Sequence, residues 1–154
     1  MQKTNLKISY IDKNKVCDKL FHYAVVVARY KHQWLFVRQT VRDTYELPAG
    51  RREPAETIEQ TAMRELWEET GAIEYDLQAV SAFYVGVKNV SEQDIQLSDS
   101  FGMLYFAEVY QLGQRPDYSE IGELLISDHL PHPLSYPEIQ PRLFDKAKAI
   151  LNQA

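Results

Sequence analysis

The chain has 154 residues, 45% of them hydrophobic, which is the size and composition of one domain with a single buried core. Its 17 Lys and Arg against 22 Asp and Glu give a formal net charge of −5, which argues against broad binding of nucleic acid or anionic membranes. A single cysteine excludes an internal disulfide and favours a reducing, cytoplasmic setting. We therefore predict one cytoplasmic domain over residues 1–154, with neither a nucleic-acid polymer nor a membrane as its partner.

The first half of the chain has the pattern of three strands followed by a helix. Alternation of apolar and polar residues predicts a strand over residues 5–11. Two runs rich in β-branched and aromatic residues, 21–30 and 32–40, predict a hairpin. After a turn-rich loop, apolar residues recur every four positions from Thr57, so we predict a helix that Thr57 caps and Gly71 ends.

The second half of the chain has the pattern of three more strands and a closing helix. Residues 76–90 and 100–110 predict two strands with a polar loop between them, and a last short strand is expected within 120–131. Apolar residues at helical spacing from Ile139 predict a second amphipathic helix, with Pro141 in its first turn. Mixed strands with two helices predict an α/β fold in which helices pack against a mixed β-sheet.

The predicted first helix carries an unusual concentration of glutamate. At about 100° per residue, with Ile58 at zero, Glu65 and Glu69 fall at about −20° and +20°, within the stripe that faces the core, and Glu68 falls at about −80°. Carboxylates at positions i, i+3 and i+4 lie close together, and their repulsion raises their pKa values unless a cation intervenes. A solvated acidic helix face is the alternative, but the position of Glu65 and Glu69 on the wheel favours a cation site.

A hard divalent cation suits these side chains best. Carboxylate oxygens on a rigid helix favour Mg²⁺ or Mn²⁺ over zinc, and none of the four histidines is spaced with the cysteine as zinc ligands would be. A backbone carbonyl near Gly50, in the loop before the helix, is a further candidate ligand. Arg64 can pair with Glu68 one turn later and hold that carboxylate in place.

Residues 50–72 resemble the signature of the Nudix hydrolases, G-x5-E-x7-R-E-U-x-E-E-x-G-U, in which U is a bulky aliphatic residue. Its positions are filled by Gly50, Glu56, Arg64, Glu65, Leu66, Glu68, Glu69 and Gly71, and only Ala72 is small for its place. Two alanines, Ala49 and Ala55, stand where glycine is frequent. The segment "YELPAG" before the motif, the surrounding strands and the final helix also resemble the family, which implies a Nudix-type α/β/α sandwich.

The resemblance implies an enzyme that hydrolyses a nucleoside diphosphate derivative with Mg²⁺ or Mn²⁺. It implies Glu65, Glu68 and Glu69 as metal ligands, supported by Glu56 and Arg64. The partner is then a small nucleotide, and a homodimer is possible because Nudix hydrolases are frequently dimers.

The hypothesis for the reaction is metal-assisted attack of water on a phosphorus of the diphosphate. The general base is either Glu65 or a carboxylate of the loop that contains Glu92, Asp94 and Asp99, and the sequence does not choose between them. Arg38, at the end of a predicted strand, is the preferred phosphate-binding residue because a guanidinium binds phosphate bidentately.

Three functions compete for the predicted site. The first is hydrolysis of a nucleoside triphosphate such as 8-oxo-dGTP. The second is hydrolysis of ADP-ribose or a sugar nucleotide, which Ala49 in "PAG" favours, although Val87 stands where many ADP-ribose enzymes have proline. The third is a non-catalytic Nudix domain that senses a nucleotide, and the complete set of motif carboxylates argues against it.

Overall fold

The computed structural model describes residues 5–153, which form seven strands and two α-helices. The strands are β1 (Lys7–Ile11), β2 (Phe21–Tyr30), β3 (Gln33–Gln39), β4 (Ala49–Arg51), β5 (Ala72–Gly86), β6 (Phe101–Leu112) and β7 (Ile121–Ser127). The helices are α1 (Ile58–Thr70) and α2 (Gln140–Lys148). Short 3-10 turns lie at Lys13–Lys15, Asp18–Leu20, Glu92–Asp94 and Ala149–Asn152.

The strands form one mixed sheet in the order β1-β5-β6-β2-β3-β7, with β4 paired to β2 outside this path. Strands β2 and β6 run parallel, and the other paired strands run antiparallel. The ladder between β2 and β3 is confined to the hairpin end, at Arg29 with Trp34 and Tyr30 with Gln33. Beyond these pairs the two strands separate, and β4 takes the edge of β2 that β3 leaves.

Each helix covers one face of the sheet. Helix α1 buries Ile58, Ala62 and Leu66 against apolar residues of β2, β5 and β6, and α2 buries Leu143, Phe144 and Ala147 in the apolar cluster on the other face. The predicted α/β fold, with helices on both faces of a mixed sheet, is therefore confirmed. Within residues 5–153, no helix is long and apolar enough to cross a lipid bilayer.

Both ends of α1 are fixed by the residues that the sequence indicates. The Thr57 hydroxyl accepts a hydrogen bond from the Gln60 backbone N–H over 3.1 Å, and the Gln60 side chain accepts one from the Thr57 N–H over 2.9 Å, which forms a capping box. Gly71 ends the helix with a φ of 81°, and its N–H donates to the Trp67 carbonyl over 2.8 Å. The orientation of α1 is therefore well defined where it carries its glutamates.

Two predicted boundaries are wrong. Strand β5 begins at Ala72, directly after the helix, and ends at Gly86, whereas the sequence predicts a strand over 76–90. The charged residues at its start belong to the strand because β6 pairs with them along its whole length. Gly50, which we expect in a loop, lies in β4 because the separation of β2 from β3 leaves backbone groups of β2 free to pair there.

Candidate active site

Helix α1 presents two of its glutamates to strand β4. The Ala49 backbone N–H donates a hydrogen bond to Glu69 Oε1 over 2.8 Å. The Glu65 side chain, only 14% exposed, lies against Gly50, where an added Cβ would overlap its carboxyl group. The helical wheel places these two glutamates on the inward side of the helix, and the structure confirms that position.

Arg64 lies at the centre of the acidic cluster. Its Nε donates to Glu56 Oε2 over 2.6 Å, and its Nη1 donates to Glu65 Oε1 over 2.7 Å and to Glu68 Oε1 over 2.9 Å. Its Nη2 donates to Glu56 Oε1 over 3.0 Å and to the Arg51 carbonyl over 2.9 Å. The predicted pairing of Arg64 with Glu68 is confirmed, and one guanidinium orients three carboxylates.

Four acidic and basic groups of the cluster have shifted pKa values. Hydrogen bonds from Arg64 lower the pKa of Glu56 to about 2, and the same bonds raise the pKa of Arg64. Burial raises the pKa of Glu65 in spite of its hydrogen bond from Arg64, and burial raises the pKa of Glu69 to about 9 in spite of the Ala49 N–H. Glu65 and Glu69 therefore lack sufficient positive charge around them.

The candidate ligands share one cavity. Its volume is about 310 Å³, and it is lined by Glu53, Glu65, Glu68, Glu69, Tyr118, Ser119 and Glu120. The Ser119 hydroxyl donates to the Glu68 carbonyl over 2.7 Å, which ties the β6–β7 connection to the helix. We call this space, with its seven lining residues, the carboxylate cavity.

Comparison with known proteins then identifies the family. A family model described as the NUDIX domain matches residues 20–127, which is more than half of the chain. The chain belongs to the Nudix family. The match includes β2 to β7 and the whole of α1, so it contains every residue of the carboxylate cavity.

Individual relatives agree with this assignment. The Nudix chain is 33% identical over 111 residues to a Bacillus subtilis (strain 168) protein that carries the provisional name 8-oxo-dGTP diphosphatase YtkD, and the match covers 71% of this chain and 64% of that protein. The crystal structure of the Bacillus subtilis pyrophosphohydrolase BsRppH has a TM-score of 0.72 at 24% identity, with 94% of this chain and 90% of that chain covered.

A third relative extends the comparison. The NUDIX domain of Shewanella oneidensis NrtR, solved with ADP ribose, has a TM-score of 0.57 at 16% identity and covers 92% of this chain and 94% of that chain. At these identities the structural likenesses concern the fold alone. They confirm the expected Nudix-type α/β/α sandwich.

Four residues of the carboxylate cavity were not predicted from the sequence: Glu53, Tyr118, Ser119 and Glu120. Glu120 follows β6 and precedes β7, and it lines the carboxylate cavity together with Tyr118 and Ser119 of the same connection. Within the described residues its carboxylate makes no hydrogen bond or ion pair, so it is available to water or substrate. No motif marks it, because its position results from the path of the β6–β7 connection.

The acidic loop predicted as an alternative source of the base lies elsewhere. Glu92, Asp94 and Asp99 do not line the carboxylate cavity. Asp94 accepts a hydrogen bond from the Ser91 hydroxyl, and Asp99 accepts one from the Gln96 backbone N–H, so both act locally as turn and cap residues. Their role as a base stays an untested prediction with no support from these contacts.

Arg38 also lies outside the lining of the carboxylate cavity. It is on β3, and its guanidinium contacts Glu123 over 3.4 Å. Its Nη1 donates to the carbonyls of Gln39 and Arg42 over 3.3 and 3.2 Å. Its predicted role in phosphate binding is not tested by these contacts.

The carboxylates of Glu65, Glu68 and Glu69 suit a hard divalent cation because all their donor atoms are oxygen. Burial also raises the pKa values of Glu65 and Glu69, so these two carboxylates would gain from a nearby positive charge. Within residues 5–153, no three acidic side chains lie close enough together to hold a metal ion. The reason is that Glu65 and Glu68 turn toward Arg64 and Glu69 toward Ala49. Cation binding at this cavity therefore requires rotation of carboxylates about their side-chain bonds.

Proposed function

We propose that this Nudix protein hydrolyses the diphosphate linkage of a nucleoside triphosphate, with 8-oxo-dGTP as the favoured substrate and Mg²⁺ or Mn²⁺ as the cofactor. The observation that carries the proposal is that Glu65, Glu68 and Glu69 of the Nudix motif share one cavity. Nudix hydrolases generally use divalent metals, and the relative named as an 8-oxo-dGTP diphosphatase supports this choice of substrate.

The cation would be held by Glu65, Glu68 and Glu69, with the Gly50 carbonyl as a further candidate ligand. When bound, it would supply Lewis-acid chemistry, which offsets phosphate charge and makes water a better nucleophile. The Ala49 N–H fixes one oxygen of Glu69. The other oxygen of Glu69 would face the cation after the carboxylate turns, and a hydrogen-bond partner of this kind orients a metal ligand.

Arg64 and Glu56 act as positioning residues in this proposal. Arg64 holds Glu65 and Glu68 through its Nη1, and Glu56 holds Arg64 through two hydrogen bonds. Glu56 stays ionised at all physiological pH values, because its pKa is about 2. The ion pair of Glu56 with Arg64 therefore persists over this pH range, and it keeps Arg64 in place while Glu65 and Glu68 turn toward the cation.

We assign the general base to Glu120, with Glu65 as the alternative. Glu120 faces the same cavity as the candidate ligands and makes no side-chain hydrogen bond or ion pair in the described part of the chain. An exposed carboxylate in this position can accept a proton from the attacking water. Glu65, by contrast, is held against Gly50 and by Arg64.

Arg38 remains the proposed phosphate-binding residue outside the motif. Its contact with Glu123 is long for a charge-assisted hydrogen bond, at 3.4 Å. A substrate phosphate would replace Glu123 as the partner of Arg38. The cost of this exchange is small because the Glu123 side chain is 41% exposed and can be solvated.

The experiment is a Mg²⁺-dependent hydrolysis screen over nucleoside triphosphates, 8-oxo-dGTP, ADP-ribose and sugar nucleotides, with products identified. We expect turnover of 8-oxo-dGTP, and we expect Glu68→Gln and Glu69→Gln to abolish it while the circular dichroism spectrum stays unchanged. In the same assay, Glu120→Gln should lower kcat about 10²- to 10⁴-fold with little change in KM, the range for loss of a general base.

The matched control is Glu59→Gln, an exposed glutamate on the same helix that lines no part of the carboxylate cavity. It should keep full turnover. Full activity of both Glu68→Gln and Glu69→Gln would sink the metal-ligand assignment. Preference for ADP-ribose or a sugar nucleotide would move the substrate to the second candidate class, and nucleotide binding without turnover would favour a sensor.

A further inference from the structure

A second cavity lies at the β6–β7 connection, next to the carboxylate cavity. Its volume is about 470 Å³. Ser119 lines both spaces, so they adjoin each other. The other lining residues are Thr70 at the end of α1, Leu112 at the end of β6, the connection residues 113–117, and Ile121 and Leu124 of β7. We call this space the connection cavity.

Hydrogen bonds hold the connection in place around this cavity. At its start, the Gly113 N–H donates to the Gly71 carbonyl over 2.6 Å. Further along, the Ser119 N–H donates to the Pro116 carbonyl over 3.0 Å, which closes a turn. The Ser119 hydroxyl then donates to the Glu68 carbonyl of α1 over 2.7 Å. The connection is therefore attached to the end of α1 at two points, and the cavity is preformed, as ligand sites usually are.

The floor of the connection cavity is apolar. Ile121 is buried, and Leu112 and Leu124 are half-buried. Gly113 adds no side chain to the cavity, because a Cβ at this position would lie against Ile73, which does not line it. A floor of aliphatic side chains suits the face of an aromatic ring, which is largely apolar.

The polar groups of the connection cavity are one cation and one anion that have no partner. Arg115 is half-buried and Asp117 is exposed, and both line the cavity. In the part of the chain that the structure describes, neither side chain makes a hydrogen bond or an ion pair. The cavity therefore offers a fork of N–H donors and, two residues away, a carboxylate that can accept two hydrogen bonds.

We propose that the connection cavity binds the nucleobase of the substrate and that Asp117 makes the site selective for guanine. This inference rests on the proposed function, since it places the diphosphate in the adjoining carboxylate cavity. The Asp117 carboxylate would accept hydrogen bonds from N1–H and the 2-amino group, and Arg115 would donate to O6. Of the four bases, only guanine has two adjacent N–H donors on one edge, which a carboxylate can bind with both oxygens.

The same contacts make a distinct statement about oxidised guanine. Oxidation at C8 changes the opposite side of the base and leaves N1–H, the 2-amino group and O6 unchanged. Asp117 would therefore determine the choice of base and not the choice between dGTP and 8-oxo-dGTP. Both nucleotides should lose affinity equally when Asp117 is altered.

The kinetic test compares dGTP with dITP, whose base lacks only the 2-amino group. We expect the wild-type KM for dITP to exceed that for dGTP about tenfold, the effect of losing one charged hydrogen bond. Asp117→Asn should raise the KM for dGTP and for 8-oxo-dGTP about tenfold, bring the KM values of dGTP and dITP together, and leave kcat unchanged. The control is Asp128→Asn, an exposed aspartate after β7 that does not line this cavity, and it should behave as wild type.

The role of Arg115 is tested against the alternative that it binds phosphate. Arg115→Ala should raise the KM for dGTP about tenfold. Inorganic tripolyphosphate, which has no base, should inhibit wild type and Arg115→Ala with the same inhibition constant. A tenfold weaker inhibition of the variant would show that Arg115 contacts phosphate, and it would overturn the assignment of Arg115 to the base.

Two kinetic outcomes would overturn the proposal as a whole. The first is an equal KM for dGTP and dITP in the wild type. The second is an unchanged KM for dGTP in Asp117→Asn. Hydrolysis of 8-oxo-dGTP in either case would leave the proposed function intact.

A binding measurement locates the base without catalysis. dGMP is titrated, without divalent cations, into methyl-labelled wild type and Asp117→Asn and followed by NMR. We expect the methyl signals of Leu112 and Leu124 to shift, those of Leu143 on the other face of the sheet to stay, and the affinity to fall at least tenfold in Asp117→Asn. If no substrate is hydrolysed, the proposed function fails, and this titration still decides the inference: unshifted Leu112 and Leu124 signals, or equal affinities, would refute it.

Discussion

Arg64 shows how a single side chain can organise a site made almost entirely of negative charge. Its five N–H donors have a fixed planar arrangement, and the structure uses them on three carboxylates and one backbone carbonyl. A lysine offers three donors on one rotatable point charge, without the planar geometry that fixes the direction of each carboxylate. The arginine therefore determines the direction of each carboxylate and also reduces the repulsion among them.

The partner that fixes Arg64 gives a prediction about acid stability. Glu56→Gln should lower the free energy of unfolding by about 2 kcal/mol at pH 7, because it replaces charged hydrogen bonds with neutral ones. The pKa of Glu56 is lower in the folded protein, about 2, than its ordinary value of 4.5. Its contribution is therefore complete above pH 4.5 and is lost as the pH falls toward 2.

Urea unfolding of wild type and Glu56→Gln at pH 7 and at a series of values down to pH 2.5 measures this effect. The difference between the two proteins should shrink steadily below pH 4.5. Glu59→Gln, on the exposed side of the same helix, serves as the control and should show a small difference that changes little. A Glu56→Gln deficit that stays constant with pH would contradict the prediction.

The directions of the motif side chains could be predicted because, on a helix, the spacing of two residues in the sequence fixes the angle between their side chains. Glu65 and Glu69 follow Ile58 by seven and eleven positions, so their direction relative to the core depends on α1 alone. Glu120 could not be predicted in this way. It reaches the cavity through a connection whose path depends on where β6 ends and β7 begins.

At the scale of elements, the site depends on the separation of β2 from β3. If these two strands paired along their full length, β4 would have no free edge of β2 to join. Ala49 could then not offer its N–H to Glu69, because that N–H points away from β2 toward the helix. The pairing pattern of the sheet is thus what places a strand backbone against the acidic face of α1.

This contact predicts the effect of Gly50→Ala. The new Cβ would overlap the carboxyl group of Glu65, and the end of that flexible side chain would move away from β4. We expect turnover to fall about 10²-fold or more, as for other displacements of about 1 Å in an active site. The free energy of unfolding should change by only about 1 kcal/mol, because only the end of one side chain must move.

Steady-state kinetics and urea unfolding of the same preparation measure the two quantities. Gly113→Ala is the matched control, since its new Cβ would lie 3.2 Å from Ile73, a half-exposed side chain away from the carboxylates. It should keep the activity of the wild type. Normal turnover in Gly50→Ala would show that Glu65 does not need its position against β4.

Helices and strands with a strong local sequence pattern were predicted well. Strands whose bounds depend on pairing with a neighbouring strand were not. Strand β2 has the predicted bounds, and α1 has the predicted cap and end. Strand β4 has only three residues and no pattern of its own, because pairing with β2 defines it. The early start of β5 likewise follows from its long ladder with β6.

At the scale of the whole molecule, the protein has a net charge of −5 and concentrates five glutamates around one cavity. A substrate with several phosphates would be repelled by such a surface. A divalent cation in the cavity would offset this repulsion at the place where the diphosphate is expected. The net charge of the protein thus repels an anionic substrate in general, and a positive charge within the cavity would attract it locally.

The half-buried carboxylates of Glu65, Glu68 and Glu69 predict that Mg²⁺ stabilises the folded protein. A cation that binds only the folded state at about ten times its Kd adds roughly 1.4 kcal/mol, which is a rise of a few degrees in Tm for a chain of this length. Differential scanning calorimetry with MgCl₂, against NaCl at equal ionic strength, measures the rise. It should disappear in Glu68→Gln, and an equal rise with NaCl would point to general screening of charge.

The anchoring of the β6–β7 connection bears on how this protein could change its substrate during evolution. Hydrogen bonds from Ser119 to the Glu68 carbonyl and from the Gly113 N–H to the Gly71 carbonyl attach that connection to the end of α1. The segment 87–100 is attached elsewhere, through the bonds of Asn89 and Val90 with Ser9. Insertions within 87–100 can therefore alter the outer surface while the helix, the connection and their glutamates keep their spacing.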